Sequence, residues 1–256
     1  MTDRPAPSVS VVGDDRLAER LAAAGCPVVP TAGGVVVVAG PVGDRAAAAA
    51  AAASTGAHPF VLWPPGHSPA DADALAARAE EAGVEVGVER PALSRPAASL
   101  GGWTARLVSL SVPGPPSGVL DAGGAVGGAL DLVLALVGRG AVARLDAAAE
   151  RDGTQLTAFA ASLRFRSGAY AQVWVGGDGP VALYASRPGS RVEATTLDVP
   201  LTVVGAPTPP APPVDALADK VAAFADAVRA GRRPEYGVDA ALGTLRLVER
   251  VHAHLR

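Results

Sequence analysis

Ser8-Val9-Ser10-Val11-Val12-Gly13-Asp14-Asp15-Arg16-Leu17-Ala18 sets the architecture of the first third of the chain. Ser8–Val12 is a short β-rich run that stops on a glycine, Gly13. Asp14 and Asp15 then offer side-chain oxygens to the free N–H groups of a helix running to about Ala24, with Leu17 and Leu21 four apart on one face. A strand that turns tightly and leaves as a helix is the opening unit of a parallel α/β sheet.

Outward from this segment the alternation repeats. Cys26–Pro30 reads as a short strand and Thr31–Gly34 as a turn, and Val35–Ala39 is an apolar run of the kind found in buried parallel strands. The alanine tract 46–53 is helical by propensity, and Gly56 stops it. His58–Trp63 is a further strand halted by Pro64-Pro65. Ser68–Ala82 follows as a helix, and Val84–Val88 as another strand. Short loops and right-handed crossovers make residues 1–95 a doubly wound domain.

The pattern then changes. Arg106–Val112 alternates like a strand, and Val119–Val137 is a small-residue helix interrupted by glycines. From Ala141 strands follow one another without helices, and Ser167-Gly168 between Thr157–Phe165 and Ala169–Val175 is a hairpin signal. Val181–Ser186 and Val192–Leu197 continue the series. Gly205–Pro213 holds five prolines and reads as a stiff connector. Two helices close the chain at 215–230 and 239–255, capped by Asp215 and Asp239. Leu217, Val221, Phe224 and Val228 line one face of the first, and Leu242, Leu245, Val248 and Val251 one face of the second. Residues 96–256 are therefore an α+β domain: a mainly antiparallel sheet covered by helices on one face, with the last two helices packing back on the body.

Composition narrows the function classes. The chain has 256 residues, 49% of them hydrophobic, and 22 basic against 25 acidic residues give a net charge of −3. No basic stripe marks a nucleic-acid or polybasic membrane binder. Val35–Ala39 is too short to span a bilayer, and Met1–Ser10 lacks the apolar core of a signal peptide. A single cysteine, Cys26, forms no internal disulfide and reads as a small buried hydrophobe, so the cytoplasm is the expected compartment. Of the 22 basic residues, 21 are arginine, and the one lysine is Lys220.

Several phrases carry a family resemblance in chain order. They are Gly34–Pro65, Gly127–Gly138 with Asp131-Leu132, Leu163-Arg-Phe-Arg-Ser-Gly-Ala-Tyr-Ala, and Phe224–Pro234 followed by Asp239-Ala-Ala-Leu. Together they resemble the glucose–fructose oxidoreductase / inositol dehydrogenase (Gfo/Idh/MocA) family over nearly the whole chain. The resemblance implies a Rossmann-like first domain that binds NAD(P), and oxidation of sugars or related alcohols by a lysine with an Asp/His pair.

Against that pattern the chain departs where the chemistry is done. A dinucleotide turn needs glycines so that backbone N–H groups reach the diphosphate. Here only Gly13 of the Gly13-Asp14-Asp15-Arg16 turn fits, two carboxylates oppose a diphosphate with Arg16 offsetting them in part, and Asp14 and Asp15 read as helix caps. Where the family has Glu-Lys-Pro, this chain has Trp63-Pro64-Pro65, and proline has no ionisable group. An alignment anchored on Asp131 puts Gly124 and Gly128 at the Asp and His positions of the long helix. Arg45, after the Gly40-Pro41 turn, stands where active relatives carry a histidine, and reads either as an anion contact or as a solvated helix cap. His58 starts a strand, His252 and His254 end the last helix, and a metal site is not expected. His67 follows Pro-Pro-Gly in a loop and is the histidine nearest a crevice mouth.

No catalytic residue is therefore assigned. The crevice candidates are Gly13, Asp14, Arg16, Gly40, Pro41, Arg45, Trp63 and His67. On the second sheet Tyr170, Gln172 and Trp174 alternate with Ala171, Val173 and Val175. If the first set faces outward it is an interface patch, and the opposite facing makes it core. The resemblance implies a contact through the open sheet face, so a homo-oligomer or a complex with a related oxidoreductase is expected there. The leading expectation is an oxidoreductase-like chain that has lost NAD(P)-dependent catalysis and serves as an assembly or regulatory partner, with no cofactor. NAD(P) enters if the family activity is retained. The alternatives are an active NAD(P)-dependent oxidoreductase with a remodelled site using His67 or Asp121, and a protein that binds a sugar-like ligand.

Overall fold

The computed structural model describes residues 8–29, 34–114, 123–153, 155–205 and 216–256. The turn at Thr31, the connector at 206–213, the cap at Asp215 and Asp121 lie outside them. Two compact units divide the chain, Met1–Arg90 with Pro213–Leu242, and Pro91–Pro212 with Gly243–Arg256. The first takes in a helix that the sequence places with the second domain.

In the first unit, β1 (Val9–Val12), β2 (Val35–Val38), β3 (His58–Val61) and β4 (Gly87–Val88) form a parallel sheet in that order. The helices α1 (Asp15–Ala23), α2 (Val42–Ser54) and α3 (Pro69–Ala82) connect them. Each start has a local cause. Asp14 caps α1 through the Leu17 N–H, and Ser68 with Asp71 forms a capping box on α3, which ends on left-handed Gly83. Every residue of the all-valine β2 is buried. One side of the sheet packs Val35, Val37 and Phe60 against Leu17, Leu21, Cys26, Val221 and Phe224. The other packs Val36, Val38 and Val61 against Ala49, Leu75, Ala79, Tyr236 and Ala241. The helix α5 (Ala216–Arg229) thus supplies core to this sheet. Gly87 makes room for it, because a Cβ there would stand 2.8 Å from Phe224 and 2.9 Å from Phe60.

Of the expected strand at Cys26–Pro30, the described residues, through 29, form one bridge, Val9 to Val28, held by Val9 N–H to Pro27 O at 2.9 Å and Val29 N–H to Val9 O at 2.8 Å. Val9 also pairs with Val35 on its other side. The chain therefore reverses direction across the sheet at β1. Val84–Val88 likewise pairs only at Gly87 and Val88.

In the second unit six strands are ordered β10-β9-β5-β8-β7-β6. They are β5 (Leu107–Val112), β6 (Val142–Asp152), β7 (Gln155–Phe165), β8 (Tyr170–Gly176), β9 (Ala182–Arg187) and β10 (Ser190–Ala194). All pairs are antiparallel except β5–β8. The helix α4 (Ala125–Leu136) packs on β5 and β8 and against a 3-10 helix, Ala92–Leu100, that the pattern did not signal. Within it Asp131 is fully buried, accepting from Thr244 Oγ1 at 2.5 Å and pairing with Arg139 Nη2 at 3.0 Å. Thr244 lies on α6 (Val238–His254), whose start leaves Asp239 inside the first turn rather than at the cap. Val108, Leu110, Ala171, Val173 and Val175 are buried, while Leu107, Trp174 and Tyr184 are 42%, 43% and 40% exposed. Among the described residues no helix is long and apolar enough to cross a membrane.

Candidate functional site

In a parallel α/β sheet, ligands are taken at the carboxyl ends of the strands, where the chain direction switches. Here that edge is built from Gly13, Gly40-Pro41 and Leu62–Pro65, which follow β1, β2 and β3.

Gly13 (φ +92°) and Gly40 (φ +85°) face each other. A Cβ on Gly13 would stand 2.8 Å from Ala39 O, and one on Gly40 3.1 Å from Gly13 O, while Ala39 N–H donates to Val12 O at 2.9 Å. The crossing of two backbones accounts for both glycines. Asp14, extended at φ −156°, spends its carboxylate on the Leu17 N–H at 3.2 Å. Asp14 and Asp15 are exposed at the positive end of α1, where negative charge stabilises the helix and repels a diphosphate alike. Arg16 is exposed and makes no ion pair or hydrogen bond among the described residues.

Arg45 is not a solvated cap. Its Nε donates to Gly40 O at 2.9 Å, and its Nη1 lies 3.3, 2.9 and 3.1 Å from the carbonyl oxygens of Leu62, Trp63 and Pro64. From the first turn of α2 the guanidinium thus ties the end of β2 to the segment leaving β3. Burial lowers its pKa, and the nearby Glu89 carboxylate partly opposes that. Pro41 occupies the cap position of α2 without a side-chain cap bond.

Trp63, joined to Pro64 by a cis peptide, meets Tyr236 edge-on at 6.4 Å. Arg90 lies over the Tyr236 ring at 5.2 Å and pairs with Glu235 at 3.0 Å. His67 is exposed. Its backbone N–H and that of Ser68 each donate to Asp71 Oδ2 at 2.9 Å, and its Nε2 stands 3.3 Å from where a Cβ on Gly43 would be. The imidazole thus lies against the start of α2, where a Cβ at position 43 would crowd it slightly.

The structure therefore gathers Gly13, Gly40, Pro41, Arg45, Trp63 and His67 at one edge, with Asp14 and Arg16 beginning α1 beside Gly13. Glu89 and Tyr236 belong to the same surroundings but carry no local sequence signal, since long-range packing brings them there. His58 is structural, its Nδ1 accepting the Glu85 N–H at 3.0 Å. In the second unit Gly124 caps α4, and Gly128 lets Leu93 approach to 3.1 Å of its would-be Cβ. No group of three or more metal-binding side chains occurs among the described residues.

No protein-family model matches the chain, and a search of curated proteins finds no match. Solved structures do match. UDP-N-acetylglucosamine 3-dehydrogenase GnnA from Acidithiobacillus ferrooxidans superposes with a TM-score of 0.78 at 18% identity, covering 97% of each chain. A dehydrogenase from Chromobacterium violaceum gives 0.76 at 20% identity, over 98% of this chain and 96% of the other. An oxidoreductase from Agrobacterium radiobacter, solved with NAD+, L-tartaric acid and magnesium, gives 0.74 at 15% identity, over 97% and 96%. With its parallel four-stranded and mixed six-stranded sheets, the chain has the two-unit fold of the Gfo/Idh/MocA-type oxidoreductases, as the sequence resemblance implies.

Proposed function

We propose that this chain is an oxidoreductase-like protein that has lost NAD(P)-dependent catalysis and works as a non-catalytic assembly or regulatory partner. The observation that carries the reading is the carboxyl edge of the first sheet. Of the cations there, Arg45 is bonded to backbone carbonyls, and exposed Arg16 at the start of α1 is outnumbered by Asp14 and Asp15 beside it. The residues present do not fit a diphosphate at α1: its glycine is used by a backbone crossing, and its capping carboxylate already holds the Leu17 N–H. Where the resemblance implies a lysine, Trp63-Pro64-Pro65 offers no ionisable side chain for acid–base chemistry.

A thermal shift tests this. A dinucleotide with a Kd of about 10 µM, present at about 1 mM, stabilises the folded state by roughly 2.7 kcal/mol. For a chain of this size that raises Tm by about 5–11 °C. No rise is expected with NADH or NADPH, and a rise of that size refutes the reading in favour of a remodelled enzyme in which His67 is the first residue to test.

The partner surface in this reading is the open face of the second sheet. Trp174 stands exposed beside a shallow groove of about 500 Å3 lined by Ser109, Ser111, Ser162 and Gln172. Tyr170 OH lies 3.3 Å from Ser162 Oγ and 3.1 Å from Gln172 Nε2, which holds the patch in one arrangement. Aromatic groups with one polar end suit an interface. A second copy or a related oxidoreductase is the proposed occupant.

A further inference from the structure

The edge of the second sheet, as distinct from its face, carries a separate signal. At 11 residues β6 is long, and within the sheet it pairs only with β7. Its pairing is regular from Arg144 to Glu150 and is broken on either side, by register shifts at Val142/Arg144 and at Glu150/Arg151. Among the described residues no element pairs with the outer side of that seven-residue stretch. Charged side chains and bulges usually keep such an edge from joining another. Here the charges are placed so that one arrangement is attractive.

We propose that two copies of the chain join through β6, antiparallel about Ala147, so that two six-stranded sheets become one continuous sheet. In that register Arg144 faces Glu150 of the partner subunit, and the same pair recurs across the two-fold axis. Leu145 faces Ala149 of the partner subunit, Asp146 faces Ala148 of the partner subunit, and the two copies of Ala147 meet at the centre. All four even-numbered residues, 144 to 150, lie on the open face, so strand alternation is kept. The neighbouring registers give up both Arg144–Glu150 pairs and bring acids together. A slip of two residues one way sets Asp146 opposite Glu150 of the partner subunit and leaves Arg144 only Asp152 of the partner subunit, which lies past the register shift at Glu150/Arg151, and a slip the other way sets Asp146 opposite itself. The groups concerned are available: Arg144 and Asp146 are 73% and 53% exposed, and Glu150 is exposed with no ion pair among the described residues. Arg144 keeps its in-strand bond to Asp146 at 2.8 Å and has further donors for a second carboxylate.

Charge exchange tests the register. Sedimentation of the full chain should show self-association that both Arg144→Glu and Glu150→Arg weaken by at least about tenfold, since each sets like charges opposite at two symmetric positions. The double variant R144E/E150R restores it. So does mixing the two single variants, because one then presents two acids and the other two bases. Both positions are exposed, so each single variant should melt like wild type. A wild-type chain that stays monomeric, single variants that associate like wild type, or a mixture that fails to recover overturns the proposal. Association that survives the β6 variants but is lost when Tyr170 and Trp174 are made charged overturns the β6 edge and leaves the sheet face standing. The reverse result overturns the face and supports the edge.

Discussion

Arg45→Met tests the reading of the first sheet's carboxyl edge most sharply. The guanidinium offers one N–H at Nε and two at Nη1 to the carbonyls of Gly40, Leu62, Trp63 and Pro64. Three donors cannot make four full bonds, so about three charge-assisted bonds are lost. Bonds to charged groups contribute roughly 1.5–3 kcal/mol each when well enclosed. The site is half-buried and water can replace part of the loss, so the expected cost is about 2–4 kcal/mol, or a fall in Tm of about 4–16 °C. Thermal and urea unfolding measure it. Arg45→Lys should recover less than half, because an ammonium is a compact charge that cannot span the same carbonyls. Arg16→Ala, at an exposed arginine without such bonds, should change stability by less than about 0.5 kcal/mol. An Arg45→Met chain as stable as wild type refutes the tie between β2 and the segment after β3. Burial lowers the Arg45 pKa, but an arginine starts so far above neutrality that this stabilisation should stay constant from about pH 5 to 9.

Gly13→Ala combines a strained φ of +92° with a Cβ 2.8 Å from Ala39 O, whereas Gly25→Ala has φ +84° but nothing within 4 Å. The first should cost at least about 2 kcal/mol more than the second in urea unfolding. Thr244→Val leaves the buried Asp131 with one partner fewer and should cost about 1–3 kcal/mol. Arg139→Met removes its counter-charge and should cost about 2–4 kcal/mol, less than for a wholly enclosed pair because Arg139 is itself 27% exposed. Charged residues at Tyr170 and Trp174 should abolish association through the sheet face by light scattering, and an unchanged assembly refutes that interface.

The features legible in the sequence are those with local causes. Asp14 sits where a cap must sit, the helix read over Ser68–Ala82 runs from Pro69 to Ala82, and the four valines of β2 lie where a strand is covered on both sides. The alternation along β8 places Trp174 and Ala171 on opposite faces, and burial then decides which face is outward. The rest depends on distant partners. Arg45 finds acceptors 17 to 19 residues away, so nothing adjacent to it distinguishes a tie between strands from a solvated cap. The parallel β5–β8 pair lies in an otherwise antiparallel sheet, and hairpin signals do not carry that topology. The 3-10 helix at Ala92–Leu100 contains Pro96, which argues against a helix locally and is tolerated in one packed on α4. At the candidate site the glycines are visible in the sequence, but their cause, each making room for the other's backbone, is visible only in three dimensions.

The loss of dinucleotide binding is tested most directly by calorimetric titration of the wild-type chain with NADH and with NADPH at low ionic strength, where any attraction to a diphosphate is strongest. No saturable binding below about 1 mM is the predicted result, and saturation with a Kd in the range of about 1–50 µM contradicts it.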